Sequence, residues 1–521
     1  MQPPEIGFWR HAAAHRDALA VVEPDGTEFT FGALLDLTNQ LTHALRGAGL
    51  TPGDSVAVML PNGHTTLALF MAVAQAGFYL TPINWHLTAP EIAYILRDSE
   101  AKAIVASARF PELARAAAAE AEVGVRLSVG GAIEGFTSLA TFVGGATTST
   151  PDARRTGTTM TYTSGTTGRP KGVRRPLHDI APEIVSTQQA LFLSLFGMMP
   201  GQPGVHLCVA PLYHTAVINF ATNHLHMGHT VVLMDKWTPE GMLERIDRYR
   251  VTNTHMVPTM FVRLLKLDDA TRARFDVSSL SHVIHGAAPC PIDVKRRMLD
   301  WWGPCIFEYY AASEGGGTLA TPADWVARPG TVGKPWPISQ IRILDDAGEP
   351  VANGTPGTVW IRMGDHRFEY HRDKDKTSNA WRDGFFTVGD AGYVDDAGFL
   401  FLCDRKADMI IAGGVNIYPA EIEAALLEHP KVGDAAVFGI PDEELGERVH
   451  AVVELQPGNA PSEAVAAEIL ASLGGKLAKF KTPRAIDFID ELPRDPNGKL
   501  YKRKLRDPYW AAHGGGPGGA T

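Results

Sequence analysis

Tyr162-Thr-Ser-Gly-Thr-Thr-Gly-Arg-Pro-Lys-Gly-Val173 is the stretch on which the reading of this chain turns. Gly165 and Gly168 let the backbone aim N–H groups at an anion. Thr163, Ser164, Thr166 and Thr167 add hydroxyl donors, and Lys171 supplies positive charge. This is a phosphate cradle by the logic of a P-loop, although G-x-x-x-x-G-K-[ST] is not matched. A polar Gly/Ser/Thr surface turn has the same composition, so the residues alone leave both readings open.

Around this segment lies a chain of 521 residues, enough for about three folding units at ~150 residues each. Hydrophobic residues at 45% and charged ones at 20% exclude wholesale disorder. Lys plus Arg number 48 against 58 Asp plus Glu, a formal charge of −10. That balance gives no general electrostatic reason to hold nucleic acid or an anionic membrane. Cys208, Cys290, Cys305 and Cys403 lie far apart with no C-x-x-C pair. They suit neither a disulfide scaffold nor a zinc knuckle, and read as buried thiols in a reducing compartment. Met1–Ile6 has no charged region leading into an apolar run, so no signal peptide is expected. The greasy run Leu67–Leu80 is shorter than the roughly 20 residues of a spanning helix. It reads as a core helix, in a cytoplasmic protein with no integral membrane segment.

Apolar β-type runs at Ser55–Leu60, Val205–Leu212, Thr230–Met234, Thr254–Val257 and His282–His285 alternate with helical patterns such as Glu112–Glu122 and Pro239–Tyr249. The alternation predicts an α/β fold around a largely parallel sheet. From about residue 331 to 403 short strands with Gly and Pro punctuation predict a β-rich part of this large N-terminal unit, residues 1–403. A second change at Asp404 opens a small α+β unit, 404–511, of ordinary domain size. There we expect a turn at Gly413-Gly414, helices at Pro419–Glu428 and from Ser462 to about Leu477, and strands at Asp434–Gly439, Arg448–Leu455 and Ala485–Ile489. Residues 512–521 form a low-complexity tail, expected to fray.

Ser164-Gly-Thr-Thr-Gly-Arg-Pro-Lys-Gly172 closely resembles the phosphate loop of the adenylate-forming superfamily: acyl-CoA synthetases, peptide-synthetase adenylation domains and luciferases. Four further blocks follow in the family's order, so the resemblance spans nearly the whole chain. It implies a large AMP-binding domain, a small mobile C-terminal domain, and a two-step reaction. A carboxylic acid and Mg·ATP give an acyl-adenylate and pyrophosphate; a thiol, usually coenzyme A, then displaces AMP.

The second block, Glu308-Tyr-Tyr-Ala-Ala-Ser-Glu314, follows a strand expected at Cys305–Phe307. It resembles the family's Tyr-Gly-x-Thr-Glu pattern, which implies that Tyr310 packs near adenine and that Glu314 binds Mg²⁺, with Glu308, Tyr309 and Ser313 on the nucleotide side. Magnesium beside a triphosphate takes only one or two protein carboxylates. Ser313 replaces the usual Thr and keeps the hydroxyl; Ala311 replaces the usual Gly. Tyr309 stands where many relatives have a small residue lining the acyl pocket. Turned inward it would shorten or bend the tunnel; turned outward it would leave room for a long chain.

Phe386-Thr-Val-Gly-Asp390 is similar to the family's Gly-Asp position, and a carboxylate accepting two hydrogen bonds suits a ribose diol. Asp404-Arg-Lys-Ala-Asp-Met-Ile-Ile-Ala-Gly-Gly-Val-Asn-Ile-Tyr-Pro419 resembles the inter-domain hinge. There Arg405 would face the nucleotide, Gly413 and Gly414 the pantetheine arm, and Ala407 stands at the pivot with no expected side-chain role. Pro493-Arg-Asp-Pro-Asn-Gly-Lys-Leu500 would present Lys499 at a turn tip. The resemblance implies that Lys499 stabilises charge as the adenylate forms and withdraws when the small domain rotates.

Ala210-Pro-Leu-Tyr-His214 resembles the acyl-pocket entrance, with His214 a catalytic or gating candidate, and Gly286-Ala287-Ala288 the small-residue strand end beside adenine. No carboxylate stands near Tyr213-His214 to pair an α-ammonium, so a hydrophobic and fatty acid is expected over an amino acid. Coenzyme A is the expected acceptor, with Lys479, Lys481 and Arg484 as candidates for its phosphates. A carrier-protein acceptor, a luciferase-like monooxygenase and a catalytically dead nucleotide-binding protein are the alternatives. A homodimer stays open.

Overall fold

The computed structural model describes residues 6–163, 170–405, 408–413, 415–474, 476–494 and 500–513, with Thr163 and Arg405 described through their backbone. Strands Leu19–Val22, Thr230–Leu233, Val205–Cys208, Asn253–Met256, His282–His285 and Ile306–Ala312 run parallel through the middle of a nine-stranded sheet. Its edges are antiparallel: Glu28–Thr30 on one side, Gly315–Ala320 and Lys334–Pro335 on the other. A separate six-stranded sheet, built on Ser55–Met59, Tyr79–Pro82 and Ala101–Ser107, is parallel throughout. The one parallel sheet expected from the sequence is therefore two.

Helix His64–Ala76 explains how two sheets share one core. Leu67 through Val73 are all buried, and one apolar cluster holds that helix together with Val21 and Val231 of the larger sheet and Val58 and Val105 of the smaller. A helix apolar on every side needs a layer on every side. The run Leu67–Leu80 is thus a core helix only as far as Ala76; Gly77 ends it in the left-handed conformation at φ 78°, and Tyr79–Pro82 is already a strand.

The β-rich part is a six-stranded antiparallel sheet reaching from Ser339–Leu344 to Leu400–Arg405. Beyond it, Val432–Asp442 and Gly446–Leu455 pair as a long hairpin, Ile486–Ile489 adds a parallel strand, and helices Pro419–Leu427 and Glu463–Ser472 accompany the sheet. The second of these helices stops five residues before the expected Leu477, where Gly474-Gly475 disfavours continuation. Asp404 accepts from the Ala420 N–H at 3.0 Å and caps the first helix. Helix Lys502–Ala511, which no apolar period announces, is held by Leu505 and Tyr509 against Phe438 and by the Trp510 indole bonded to the Gly439 carbonyl at 3.1 Å. Lys266 donates to the Gly433 carbonyl at 2.7 Å, tying the larger sheet's side of the molecule to this last unit.

All four cysteines are free. Cys208 and Cys305 are buried as expected, whereas Cys290 and Cys403 are only partly so. Among the described residues no helix is long and apolar enough to cross a membrane.

Candidate active site

Open α/β sheets bind ligands beyond the carboxyl ends of their parallel strands, and residues 286–288 and 308–313 stand on or just after strands His282–His285 and Ile306–Ala312. Thr161–Thr163 and Lys171–Arg174 form an antiparallel hairpin in which Thr163 faces Lys171 across the ladder. A Cβ on Gly172 would stand 3.0 Å from the Tyr162 ring, so the strand needs a glycine there to let the ring lie across it. The Tyr162 hydroxyl bonds to Asp98 at 2.7 Å and locks that ring. The hairpin's third strand is Glu369–Tyr370, with Tyr370 opposite Val173. Ser164, Gly165, Thr166, Thr167 and Gly168, which the hairpin spans, lie outside the described residues.

Residues 308–312 are not in a loop after a short strand: the strand is Ile306–Ala312, and it returns antiparallel as Gly315–Ala320. The pairing continues because Gly317 fits against the Tyr310 carbonyl, where a Cβ would lie at 2.3 Å. The block is therefore a rigid ribbon with Glu314 at its turn. Side chains alternate along it. Tyr310 donates its hydroxyl to Asp390 at 2.7 Å, and the backbone of Asp390 pairs with that of Arg405. These three residues, far apart in sequence, meet in one place.

Glu308 does not join them. Its carboxylate takes a 2.7 Å bond from Lys295, lies 3.5 Å from His285, and is buried with both. Lys295 also sits 4.7 Å over the Trp325 ring. Burial pushes the Glu308 carboxyl up while Lys295 draws it back. The Glu308 side chain expected on the nucleotide side is, through its Oε2, the buried partner of Lys295.

Glu314 is buried, and its Oε1 accepts from the Tyr370 hydroxyl at 2.8 Å. Arg175 donates to the carbonyl of the preceding Ser313, and its Nε donates to His366 at 3.0 Å. Burial and the Arg175 charge bring His366 down to about 4, so it accepts as a neutral ring. Lys171 pairs with Asp373 at 2.8 Å, which raises the lysine and lowers the carboxyl. Asp373 also accepts from the Lys376 N–H at 3.0 Å, opening helix Lys374–Ala380, and the Lys376 ammonium lies 4.1 Å over the Tyr370 ring. Desolvation lowers Lys376, and Glu314 and Asp373 hold it up. The Glu314 carboxylate thus stands near Lys376 and Arg175, and Lys171 with its partner Asp373 lies beside Lys376. Hard oxygen donors in a cationic surround suit Mg²⁺ carried by a polyphosphate.

Gly286, Ala287 and Ala288 follow strand His282–His285, and Ala287 adopts φ 68°, a conformation non-glycine residues rarely hold. His214 caps helix Thr215–His226, its ring 4.4 Å from that of Tyr213, which meets Trp85 edge-on at 4.6 Å. Gly413 takes φ 57° at the turn between Ile410–Ala412 and Val415–Ile417. Gly414, Ala407 and Lys499 lie outside the described residues. Lys481 and Arg484 engage Glu421 at 2.6 Å and Asp442 at 3.6 Å, surface pairs of small energetic weight.

Residues 8–367 match the family described as AMP-binding enzyme, and residues 421–499 match the AMP-binding enzyme C-terminal domain. The chain belongs to the AMP-binding enzyme family. Its relatives include a fatty acid–[acyl-carrier-protein] ligase, ScoC, of Streptomyces coeruleorubidus, 33% identical over 96% of this chain and 95% of that one. A feruloyl-CoA synthase of an Amycolatopsis species is also 33% identical, covering 96% of this chain and 98% of its own. Among solved structures, the amide bond synthetase McbA of Marinactinospora thermotolerans superposes with a TM-score of 0.83 at 29% identity, over 97% of this chain and all of that one. This AMP-binding enzyme is therefore an adenylate-forming acyl or aryl acid ligase that uses ATP.

Tyr370, Asp373, Lys376 and Arg175 were not singled out from the sequence. Arg174-Arg175 beside the Gly/Thr loop was one available signal; Asp373-Lys-Asp-Lys376 reads as an ordinary solvated charge run. Lys376→Gln in this AMP-binding enzyme is expected to raise the pyrophosphate concentration for half-maximal ATP–pyrophosphate exchange about tenfold, the effect of one charge-assisted contact. An unchanged midpoint would remove Lys376 from the phosphate site.

Proposed function

We propose that the protein joins a hydrophobic carboxylic acid to coenzyme A through an acyl-adenylate, in the cytoplasm. The observation that carries this reading is the ribbon Ile306–Ala320, which sets Tyr310 against Asp390 and, at its turn, Glu314 near Lys376 and Arg175, with Lys171 paired to Asp373 alongside. The first group suits a nucleoside, the second a metal-bound triphosphate. The acid's carboxylate oxygen forms a bond to the α-phosphorus as the bond to the bridging oxygen breaks, and pyrophosphate leaves. The CoA sulfur then bonds to the acyl carbon, the thiol proton goes to solvent, and AMP departs. Glu314 would hold Mg²⁺, whose charge screens the triphosphate when bound. Lys171 and Lys376 bind and orient the phosphates, Asp390 fixes the ribose, and Tyr310 lies along the base. Gly413 would lie on the pantetheine path, with Gly414. Rotation of the small unit about residues near Asp404 would exchange the two half-reactions.

The test is pyrophosphate and AMP release from ATP over a panel of acids, with and without CoA. Release of both products requiring a hydrophobic acid and CoA supports the reading; pyrophosphate exchange with no CoA turnover would assign the acyl group to a carrier protein. Lys499→Ala is expected to lower adenylation by about 10²–10³, the cost of losing one charge stabiliser. It should largely spare thioesterification of a supplied acyl-adenylate. Equal losses in both steps would refute that division of labour.

A further inference from the structure

We propose that Tyr309 and His255 close the acyl side of this site to long chains, so that its acid is compact: an aryl or short branched carboxylic acid. The inference rests on the acyl-adenylate reading above and names its substrate class.

Tyr309 and Tyr310 are neighbours on one strand, so their side chains leave opposite faces. Tyr310 goes to Asp390. Tyr309 goes into the layer between the sheet and helices Pro182–Phe192 and Thr215–His226. There its hydroxyl shares a 2.9 Å hydrogen bond with His255 Nε2. Phe220 stacks on His255 at 4.6 Å and meets Tyr309 at 5.8 Å, and Phe196 lies edge-on to Tyr309 at 6.4 Å. Tyr309 is 8% exposed, Phe220 and His255 3%, and Phe196 1%. The tyrosine left open by the sequence is therefore turned inward.

Gly286 confirms that the backbone is shaped around this ring. A Cβ there would stand 2.8 Å from Tyr309 Cε1 and 2.7 Å from its carbonyl oxygen. Gly286 begins the segment 286–288 at the end of strand His282–His285, so the ring abuts the same strand end that borders the nucleotide side.

A polymethylene chain entering from the reacting carboxylate would meet four close-packed rings, one pinned by a hydrogen bond. To pass, it must displace them or break the buried Tyr309–His255 bond, and interiors of native density do not yield that volume freely. A planar ring needs less depth. Phe192 and Trp336, half-buried and edge-to-face with centroids 5.3 Å apart, border the same cluster.

The experiment compares kcat/KM for pyrophosphate release with benzoate, cinnamate, hexanoate, dodecanoate and palmitate, in wild type, Tyr309→Gly and Tyr309→Phe. Wild type is expected to favour the best aryl acid over palmitate about 100-fold. Tyr309→Gly should raise the palmitate value at least about tenfold, and Tyr309→Phe, which keeps the bulk, should retain the exclusion. A wild-type preference for dodecanoate or palmitate overturns the inference while leaving adenylation intact. A folded Tyr309→Gly, checked by its circular dichroism melt, with unchanged palmitate turnover does the same. If that variant does not fold, the wild-type series alone decides. No release from any acid would overturn the adenylation reading and this inference with it.

Discussion

Glu314→Gln is expected to lower acyl-adenylate formation by about 10²–10³ and to shift the Mg²⁺ midpoint to higher concentration. The substitution is nearly isosteric, and its amide oxygen still accepts from the Tyr370 hydroxyl that now bonds Glu314 Oε1. The ribbon Ile306–Ala320 is held by its own ladder and by Arg175 on the Ser313 carbonyl, neither of which needs the Glu314 charge. What is lost is the negative charge. An amide is a poor Mg²⁺ ligand beside a carboxylate, and Lys376 and Arg175 would then stand near a neutral group. Pyrophosphate release measured across a Mg²⁺ titration separates the cases. A variant within threefold of wild type at every Mg²⁺ concentration would show that Glu314 is structural.

The second large effect is on stability. His206, His226, His229 and His255 are buried, and desolvation takes His206 and His229 to about 4 and His226 and His255 to about 3. Their hydrogen bonds suit neutral rings: His206 with Asn253 at 2.7 Å, His229 with His224 at 2.9 Å, His226 accepting from the Phe8 N–H at 3.1 Å. The folded values lie below the unfolded one of about 6.5, so the unfolded chain binds more protons in between. The stability these rings contribute is complete above pH 6.5 and falls as pH drops from there toward their folded values. Each ring loses about 1.4 kcal/mol per pH unit once well below 6.5. Four rings together lose about 5 kcal/mol by pH 5.5, comparable with the whole stability of a typical domain. Denaturant midpoints should fall steeply between pH 7 and pH 5.5. A flat profile would mean that these rings are already protonated or hydrated in the native state.

The sequence was most legible where one period or one turn decided the outcome. Helix Pro239–Tyr249 and strand His282–His285 lie where their patterns put them, because each buries one regular face or both. The phosphate-loop block and the four blocks after it identify the family by resemblance, without any contact being known; the Gly, hydroxyl and Lys composition of the loop alone also fits a surface turn. Less legible was Lys502–Ala511, whose amphipathic face is supplied by three aromatic or aliphatic contacts rather than a long apolar stripe.

By itself, then, the sequence determined the α/β class and the change of texture that opens the small C-terminal unit, both local or composition-borne properties, and, through the resemblance its blocks carry, the adenylate-forming chemistry. Only the tertiary structure decided that the parallel strands split into two sheets, that Glu308 serves Lys295, that Lys376 and Tyr370 stand beside Glu314, and that Tyr309 turns inward onto His255. Those side-chain outcomes join residues 13 to 62 positions apart. No local pattern encodes them, because the partner of a buried charge or ring is fixed by which elements pack together and not by its neighbours in the chain.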